Sequence, residues 1–378
     1  MSYSPDPVFT KNLCDALGQQ VLERYLHALN DEPAPVSVRR NPLKLEKTAF
    51  AGHFGSLSDG QVPWCSDGIY LTRRPQFQLD PLTHAGAFYV QDAASMAVQN
   101  ISGSLAGDQP VRALDLCAAP GGKSACIAAS LMTDRDILVS NEVVRARATV
   151  LAENMTKWGR ANVVVTNDDP RRFSALEGYF DIMLADVPCS GEGMFRKDAG
   201  SVQQWSEDNV ALCSARQKRI VAQAWPSLKE GGVLLYSTCT FNRFENDDNV
   251  AWICRELGAE VLPLEIPEAV NTRHGLQFIP GSTRSEGLYI AALRKTARTG
   301  RMKLRPAKLP EDAHPVCRAD IGAEKCFDAK PRQIFLCLFP AVRPVIKTSG
   351  SALQLIRILL WQLSAINGCN LRVPESLR

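Results

Sequence analysis

Several familiar signatures are missing from these 378 residues. There is no Cys-x-x-Cys pair, and the five histidines stand far apart in the chain, so a structural zinc site is not expected. The opening stretch, MSYSPDPVFTKNLCDAL, is polar and broken by proline, without the apolar segment of a secretory signal. A late apolar stretch, SALQLIRILLWQLSAI, is too short to cross a bilayer and contains Arg357. We therefore expect neither a metal nor a membrane partner.

Cysteine itself is not scarce, since the chain has 12. Because these cysteines are scattered and no signal peptide is expected, we predict free thiols in a reduced, cytoplasmic protein. Hydrophobic residues make up 45% and charged residues 22%, which is ordinary for a globular protein of two or three domains. The net charge of +3 permits a polyanionic partner without requiring one.

From Val111 onward, apolar strands alternate with amphipathic helices. VRALDL, DILVSNE, ANVVVTND, FDIMLADVP and GGVLLYSTC are predicted strands. GGKSACIAASLM, VRARATVLAENMTKWG, residues 207–228 and RFENDDNVAWICREL are predicted helices. LQFIP and GLYIAALR are predicted to close the region as a hairpin. This alternation is typical of a doubly wound, mostly parallel α/β sheet with one added antiparallel strand.

The flanks differ from this regular region. Helical spacing over residues 1–30 and short strands to about residue 85 predict a small N-terminal α+β domain, 1–85. The regular region forms the second domain, 86–296. Residues 297–378 begin within the basic stretch RKTARTGRMKLRPAK and are predicted to be a linker and a short, divergent or truncated segment.

The loop LDLCAAPGGKS joins the first predicted strand to the first helix, at the edge of the sheet where such folds bind ligands. It is not a phosphate-binding loop, because Cys117 stands where the first glycine of that motif belongs, and GxGxxG is absent. Glu142 and Asp169 follow the next two strands, suited to ribose hydroxyls and an adenine amino group. A plain turn is the alternative; the acids favour an adenosine cofactor, and the missing phosphate loop favours S-adenosylmethionine.

Two more strands end in cysteine turns, DVPCSGEGMF and YSTCTF. Either Cys189 or Cys239 alone would be explained as a small buried hydrophobe, but both together indicate thiol chemistry. NRFE, residues 242–245, is predicted to be a capping box that starts a helix just after Cys239. The dipole of that helix would favour a thiolate at Cys239.

LDLCAAPGGKS, DVPCSGEGMFRKD and YSTCTFNRFEN resemble the motifs of the Sun/RsmF-type RNA (cytosine-5) methyltransferases, bacterial 16S rRNA subtype. SVRRNPLK and GAFYVQDAASM resemble flanking segments of that family, and the resemblance covers roughly residues 5–295. It implies a Rossmann-like domain that methylates carbon 5 of cytosine with S-adenosylmethionine. Carbon 5 is a poor nucleophile until a thiolate adds to carbon 6 of the ring, so the reaction needs a thiol.

The resemblance makes Cys239 the nucleophile and gives product release to Cys189. DVPCS alone would indicate the other thiol, because DNA cytosine methyltransferases use that cysteine as nucleophile. Asp186 is expected to contact cofactor and base, and Lys123 to reach into the site. The expected cofactor-binding residues are Cys117, Ala118, Ala119, Pro120, Gly121, Gly122, Lys123, Glu142, Asp169 and Asp186.

The expected substrate is RNA, most directly small-subunit rRNA, free or within a ribosomal subunit, bound by a monomer. A tRNA cytosine-5 methyltransferase, a non-catalytic RNA-binding assembly factor and a P-loop nucleotide hydrolase are the alternatives. The C-terminal residues depart from the PUA-type RNA-binding domain that the resemblance implies. Basic residues expected to bind phosphates, or else to be solvated surface charges, are Arg39, Arg40, Lys44, Arg196 and Lys197.

Overall fold

The computed structural model describes residues 5–296, except residues 106, 108, 131, 132, 134 and 267. The described helices are α1 Pro7–Leu17, α2 Gln19–Asp31, α3 Lys47–Phe54, α4 Pro81–His84, α5 Ala93–Leu105, α6 Gly122–Ser130, α7 Arg145–Trp158, α8 Ala199–Gln204, α9 Glu207–Ala224 and α10 Asp247–Leu257. The described strands are β1 Val36–Arg40, β2 Ser58–Gln61, β3 Gly68–Leu71, β4 Phe88–Val90, β5 Arg112–Asp115, β6 Ile137–Asn141, β7 Val163–Thr166, β8 Phe180–Asp186, β9 Leu228–Thr238, β10 Ala259–Leu262, β11 Val270–Asn271, β12 Leu276–Phe278 and β13 Leu288–Lys295. The predicted C-terminal segment, 297–378, lies outside the described residues.

The larger sheet confirms the predicted fold class. Its strands run in the order β11-β12-β13-β9-β8-β5-β6-β7, with β10 also paired to β13. The five strands β7, β6, β5, β8 and β9 are parallel, and β13 joins β9 antiparallel. The predicted hairpin forms between β12 and β13. A parallel sheet of this kind needs helices on both faces, because its strands carry apolar residues on both sides.

Alternate residues of the central strands supply those two faces. Ala113 and Ile182 pack in one apolar cluster with residues of α5 and α6. Leu114 and Met183 pack in another cluster with residues of α9 and α10. Chain order reverses between β5 and β8, which creates the crevice where ligands bind in doubly wound sheets.

The N-terminal residues form a separate sheet and a helical pair. The smaller sheet has the order β2-β3-β1-β4 and is antiparallel. It extends to Val90, past residue 85, and the domain division proposed from the sequence stays a prediction. Gly18, at φ +90°, separates α1 from α2 in the stretch predicted to be helical.

Helices α1 and α2 pack against residues that follow β8 and β9. Phe9 and Tyr25 join Phe195 and Phe241 in one buried cluster. The ring centroids of Phe9 and Phe195 lie 5.2 Å apart, and those of Tyr25 and Phe241 lie 5.5 Å apart. Because Phe195 and Phe241 follow the two cysteine turns, the N-terminal helices pack against the ends of those turns.

Two predicted helix boundaries are corrected. The helix predicted over 207–228 ends at Ala224, because Pro226 cannot continue an α-helix, and β9 then begins at Leu228. The helix predicted from Arg243 begins only at Asp247. Among the described residues, no helix combines the length and the apolar character that a membrane crossing requires.

Candidate active site

The loop between β5 and α6 forms one wall of a cavity of about 200 Å³ at the crevice. Gly121 has φ +112°, and a Cβ there would lie 2.9 Å from the Met155 side chain of α7. A Cβ on Gly122 would lie 3.2 Å from the Gln91 amide. The two glycines therefore let the loop lie close to α7 and to the segment after β4. The lining residues are Tyr89, Val90, Gln91, Asp92, Ser95, Asp115, Cys117, Ala118, Ala119, Pro120, Gly122, Lys123 and Asp186.

This lining brings together most of the predicted cofactor loop, Lys123 and Asp186, and adds residues that sequence reasoning missed. Asp115 is completely buried; its Oδ2 accepts a 2.6 Å hydrogen bond from Ser124, whereas Oδ1 has no hydrogen-bond partner. Burial raises the pKa of Asp115 to about 7. The sequence signal that could have indicated Asp115 is its position at the end of β5, directly before the glycine loop. The segment GAFYVQDAASM, noticed only as a flank, supplies Tyr89–Asp92.

Lys123 and Asp186 form an ion pair at the cavity. The Lys123 Nζ donates to Asp186 Oδ2 at 2.9 Å, and the Ser237 hydroxyl donates to Oδ1 at 2.8 Å. Burial acts to lower the pKa of Lys123, but the Asp186 carboxylate outweighs it, so the pKa is raised and Lys123 stays charged. Ser237 lies on β9, beside the end of β8, and was not predicted.

The two predicted thiols meet at the ends of β8 and β9. Their sulfur atoms lie 3.0 Å apart, and the backbone N–H of Cys239 donates to the Cys189 Sγ at 3.3 Å. The hydrogen bond with Cys189 lowers the pKa of Cys239, while burial and Asp186 oppose this and Lys123 supports it. The same hydrogen bond, together with burial, raises the pKa of Cys189. Of the two thiols, Cys239 is therefore the one whose deprotonated form is favoured by its surroundings, with Cys189 as the hydrogen-bond donor.

The prediction that a helix starts just after Cys239, and that its dipole favours the thiolate, is wrong. The Glu245 N–H donates to the Asn242 Oδ1 at 2.9 Å, as in a capping box. The Glu245 Oε1, however, accepts from the Asn242 side-chain amide at 2.9 Å, and the backbone N–H of Asn242 donates to Glu192 instead. The helix nevertheless begins at Asp247, because these side chains also bind Ser190 and neighbouring turn residues. The thiolate is favoured by Cys189 and Lys123 instead.

The two predicted strand-end acids lie outside the cavity lining. Glu142 is 2% exposed; its Oε1 accepts from Val144 N–H at 2.9 Å, and its Oε2 lies 3.3 Å from Arg147 Nη1 without a hydrogen bond. Asp169 accepts from Arg171 N–H at 3.0 Å, and 44% of its side chain is exposed. Their assignment to the cofactor stays a prediction.

Most of the basic residues expected to hold RNA phosphates are already engaged. Arg39 is completely buried and donates to Gln91, while Arg40 is paired with Asp67. Arg196 is paired with Glu286 at 3.0 Å with 8% of its side chain exposed. The phosphate interpretation is therefore wrong for these three arginines, because charges this far inside the fold need internal partners.

The two expected lysines remain at the surface. The Lys44 ammonium donates to the carbonyls of Ala85 and Lys157. Lys197 has 38% of its side chain exposed and lies 3.8 Å from Glu286. In the part of the chain that the structure describes, no group of three or more His, Cys, Asp or Glu side chains is arranged to hold a metal ion.

A parallel sheet with an antiparallel strand beside β9, and a glycine loop at its switch point, is the architecture of Rossmann-like methyltransferases. Residues 104–294 match the family model of the 16S rRNA methyltransferase RsmB/F. Residues 6–93 match the model of the N-terminal domain of 16S rRNA methyltransferase RsmF. The chain belongs to this RsmB/F methyltransferase family, which confirms the resemblance found in its motifs.

Individual relatives agree with the family. The chain is 37% identical over 281 residues to the ribosomal RNA small subunit methyltransferase F of Cronobacter sakazakii, covering 70% of this chain and 58% of that protein. The chain thus spans well under two thirds of that relative's length. It is also similar in structure to a methyltransferase homolog protein from Pyrococcus horikoshii, with 27% identity, a TM-score of 0.65, and coverage of 78% and 95% of the two chains. NSun6 from Pyrococcus horikoshii with SFG shares the fold, at 19% identity and a TM-score of 0.67, over 77% and 98% of the chains.

Proposed function

We propose that this protein is an S-adenosylmethionine-dependent RNA methyltransferase that methylates carbon 5 of cytosine in small-subunit rRNA. The observation that carries the proposal is the pair of thiols, 3.0 Å apart, beside the Lys123–Asp186 ion pair at the switch-point cavity. The family membership supports methyl transfer to rRNA. The thiol pair supports the cytosine-5 chemistry, because that reaction needs a sulfur nucleophile.

The residues of the cavity fit the proposed cofactor. The glycine loop, residues 117–122, offers backbone groups to the cofactor. Outside this lining, the buried Glu142 Oε2 accepts no hydrogen bond, although it lies 3.3 Å from Arg147, and would accept one from a ribose hydroxyl. Asp169 would accept from the adenine amino group. When bound, S-adenosylmethionine supplies an electrophilic methyl group on a sulfonium.

The protein side of the reaction follows from the thiol pair. The Cys239 thiolate adds to carbon 6 of the cytosine, and the Lys123 ammonium offsets the negative charge that develops on the ring. The Asp186 carboxylate accepts a hydrogen bond from the exocyclic amine of the base. Once carbon 5 carries the methyl group, a solvent water molecule accepts its proton, and the C–H electron pair forms the double bond between carbons 5 and 6. The bond from Cys239 to carbon 6 breaks at the same time, and the sulfur leaves as a thiolate. The Cys189 S–H donates to the departing sulfur, which stabilises the thiolate as it forms. This gives Cys189 a role in release, as the resemblance implies.

Incubation with RNA from cells lacking the gene tests this proposal. Purified protein, S-adenosylmethionine and small-subunit rRNA, naked or in the subunit, are expected to yield 5-methylcytidine in a nucleoside digest analysed by mass spectrometry. Cys239→Ala is the matched control and is expected to yield none. Product in tRNA alone would support the tRNA alternative, and no product in either RNA would favour a non-catalytic assembly factor.

A binding measurement distinguishes the proposed methyltransferase from the alternative of a P-loop nucleotide hydrolase. Calorimetric titration is expected to show binding of S-adenosylmethionine and none of ATP, since the loop lacks the phosphate-binding spacing. Binding of ATP alone would contradict the proposed cofactor. The expected monomeric state and cytoplasmic location stay predictions.

A further inference from the structure

Glu192, a buried residue of the GEG turn, accepts hydrogen bonds from the backbone just beyond Cys239. Glu192 is 1% exposed, and its Oε2 accepts from the backbone N–H groups of Phe241 and Asn242 at 2.7 and 3.0 Å. Its Oε1 accepts from the Trp205 indole and the Asn242 side chain, both at 2.9 Å. Four accepted hydrogen bonds compensate the cost of placing this carboxylate inside the protein.

The segment after Cys239 makes the reciprocal contact with the Cys189 turn, through Glu245. Glu245 is completely buried, and its Oε2 accepts from the backbone N–H of Ser190 at 3.0 Å, one residue after Cys189. The Gln217 amide donates to the same oxygen at 2.6 Å. Each thiol turn thus contributes a buried carboxylate that binds the backbone following the other thiol. The Asn242 side chain donates to both carboxylates and joins them.

Further bonds leave the two turns little freedom to separate. The Gly193 N–H donates to the Cys239 carbonyl at 2.8 Å, and a Cβ at residue 193 would lie 2.9 Å from that oxygen. The Ser190 and Thr240 hydroxyls are 2.9 Å apart. The separation of the thiols is therefore set by backbone contacts between turns, and Glu192 makes two of them.

We propose that Glu192 is a positioning residue that holds the Cys239 sulfur against Cys189 and Lys123, with Glu245 acting reciprocally on the Cys189 turn. The inference deepens the proposed function and rests on it for its kinetic readout. Glu192 touches neither thiol; it acts through the backbone of Phe241 and Asn242. Loss of the Glu192 carboxylate is expected to displace the Cys239 sulfur and to leave cofactor binding in the cavity unchanged.

Glu192→Gln is the sharpest variant, because it keeps the volume but turns one acceptor into an N–H donor. Whichever way the amide faces, donors then oppose donors, and two accepted hydrogen bonds are lost. Trp205→Phe is the matched control, since it removes the indole N–H, keeps a smaller aromatic ring at this position and leaves the backbone contacts of Oε2. Glu192→Asp keeps the charge on a shorter side chain and is expected to restore part of the lost rate.

The first readout is catalytic. Glu192→Gln is expected to lower kcat for methyl transfer at least tenfold while the KM values and the calorimetric Kd for S-adenosylmethionine stay within twofold. Trp205→Phe is expected to stay within threefold of the wild type in kcat. A folded Glu192→Gln protein with wild-type kcat, or an equal loss in Trp205→Phe, would overturn the assignment.

The second readout does not need methyl transfer. Peptide-resolved alkylation of Cys239 by iodoacetamide is measured from pH 6 to 10 in the wild type and the variants. The midpoint is expected to rise in Glu192→Gln and to be partly restored in Glu192→Asp, because a displaced sulfur loses the Cys189 donor and the Lys123 charge. An unchanged midpoint in both variants would refute positioning, even if the wild type methylated no RNA and the proposed function failed. If Glu192→Gln does not fold, Glu192→Asp carries both readouts.

Discussion

At the scale of single residues, the charge state of Cys239 depends on a neighbour 3.0 Å away and on a lysine held by Asp186. The Cys189 hydrogen bond lowers the pKa of Cys239 more than burial raises it. Cys117, by contrast, lies in the cofactor loop with a pKa raised by burial, so it stays a neutral thiol. The chain thus has one thiol at the site that favours the charged, nucleophilic form.

Removing the Lys123 charge is expected to move the pH dependence of the reaction. The fraction of Cys239 present as thiolate increases as pH rises through its lowered pKa, so activity rises along this acid limb. Lys123→Met removes a charge that lowers that pKa, so the limb should shift to higher pH. Single-turnover rates from pH 5.5 to 9.5 measure this shift. Lys229→Met, at the opposite end of β9, is the control. If the acid limb had the same midpoint in both variants and in the wild type, Lys123 would not be what lowers the pKa of Cys239.

The strand-end acids are expected to contribute to cofactor affinity. Glu142→Ala and Asp169→Ala should each weaken S-adenosylmethionine binding about tenfold or more, since a hydrogen bond to a charged group is worth about 1.5–3 kcal/mol. Calorimetry measures the affinity, circular dichroism checks folding, and Glu230→Ala, at an exposed position near the start of β9, is the control. Unchanged affinity in both variants would remove these acids from the site.

At the scale of elements, sequence pattern predicted the β5–β9 strands and the helices between them, because short continuous apolar runs are typical of strands buried on both faces of a sheet. Local pattern failed where side chains serve distant partners. The sequence pattern of a capping box at Asn242 and Glu245 was recognised, but these residues bind Ser190 of the Cys189 turn, 52 and 55 residues away in sequence, and the helix starts later. Arg39 and Arg40 were expected at the surface, because nothing local shows that Gln91 and Asp67 pair with them.

The contact of α1 with the thiol turns is an element-scale feature with a measurable cost. Phe9 is 1% exposed, with its ring 5.8 Å from that of Trp205. Phe9→Ala is expected to lower the free energy of unfolding by about 3–5 kcal/mol, as for other buried aromatic truncations. Leu79→Ala, at a position 71% exposed, should change it by less than about 0.5 kcal/mol. Urea unfolding compares the two; equal effects would mean that α1 is not part of the cooperative core.

At the scale of the whole molecule, the site is assembled from parts far apart in the chain. Tyr89–Asp92, between the smaller sheet and α5, line the cavity together with the loop after β5 and with Asp186 of β8. The sequence predicted the loop and the acid, because each belongs to a recognisable strand end. It did not predict the contribution of Tyr89–Asp92, since only folding brings the smaller sheet to the crevice.

The central claim is that Cys239 attacks the base and Cys189 serves release, and trapping the covalent adduct tests it most directly. Labelled small-subunit rRNA and S-adenosylmethionine are incubated with Cys189→Ala, Cys239→Ala and the double variant, and the products are separated by denaturing electrophoresis. Cys189→Ala is expected to accumulate a protein–RNA adduct, because Cys239 still adds to carbon 6 but its sulfur leaves without a donor. Cys239→Ala and the double variant are expected to form none. An adduct in Cys239→Ala that is absent from Cys189→Ala would contradict the account and make Cys189 the nucleophile.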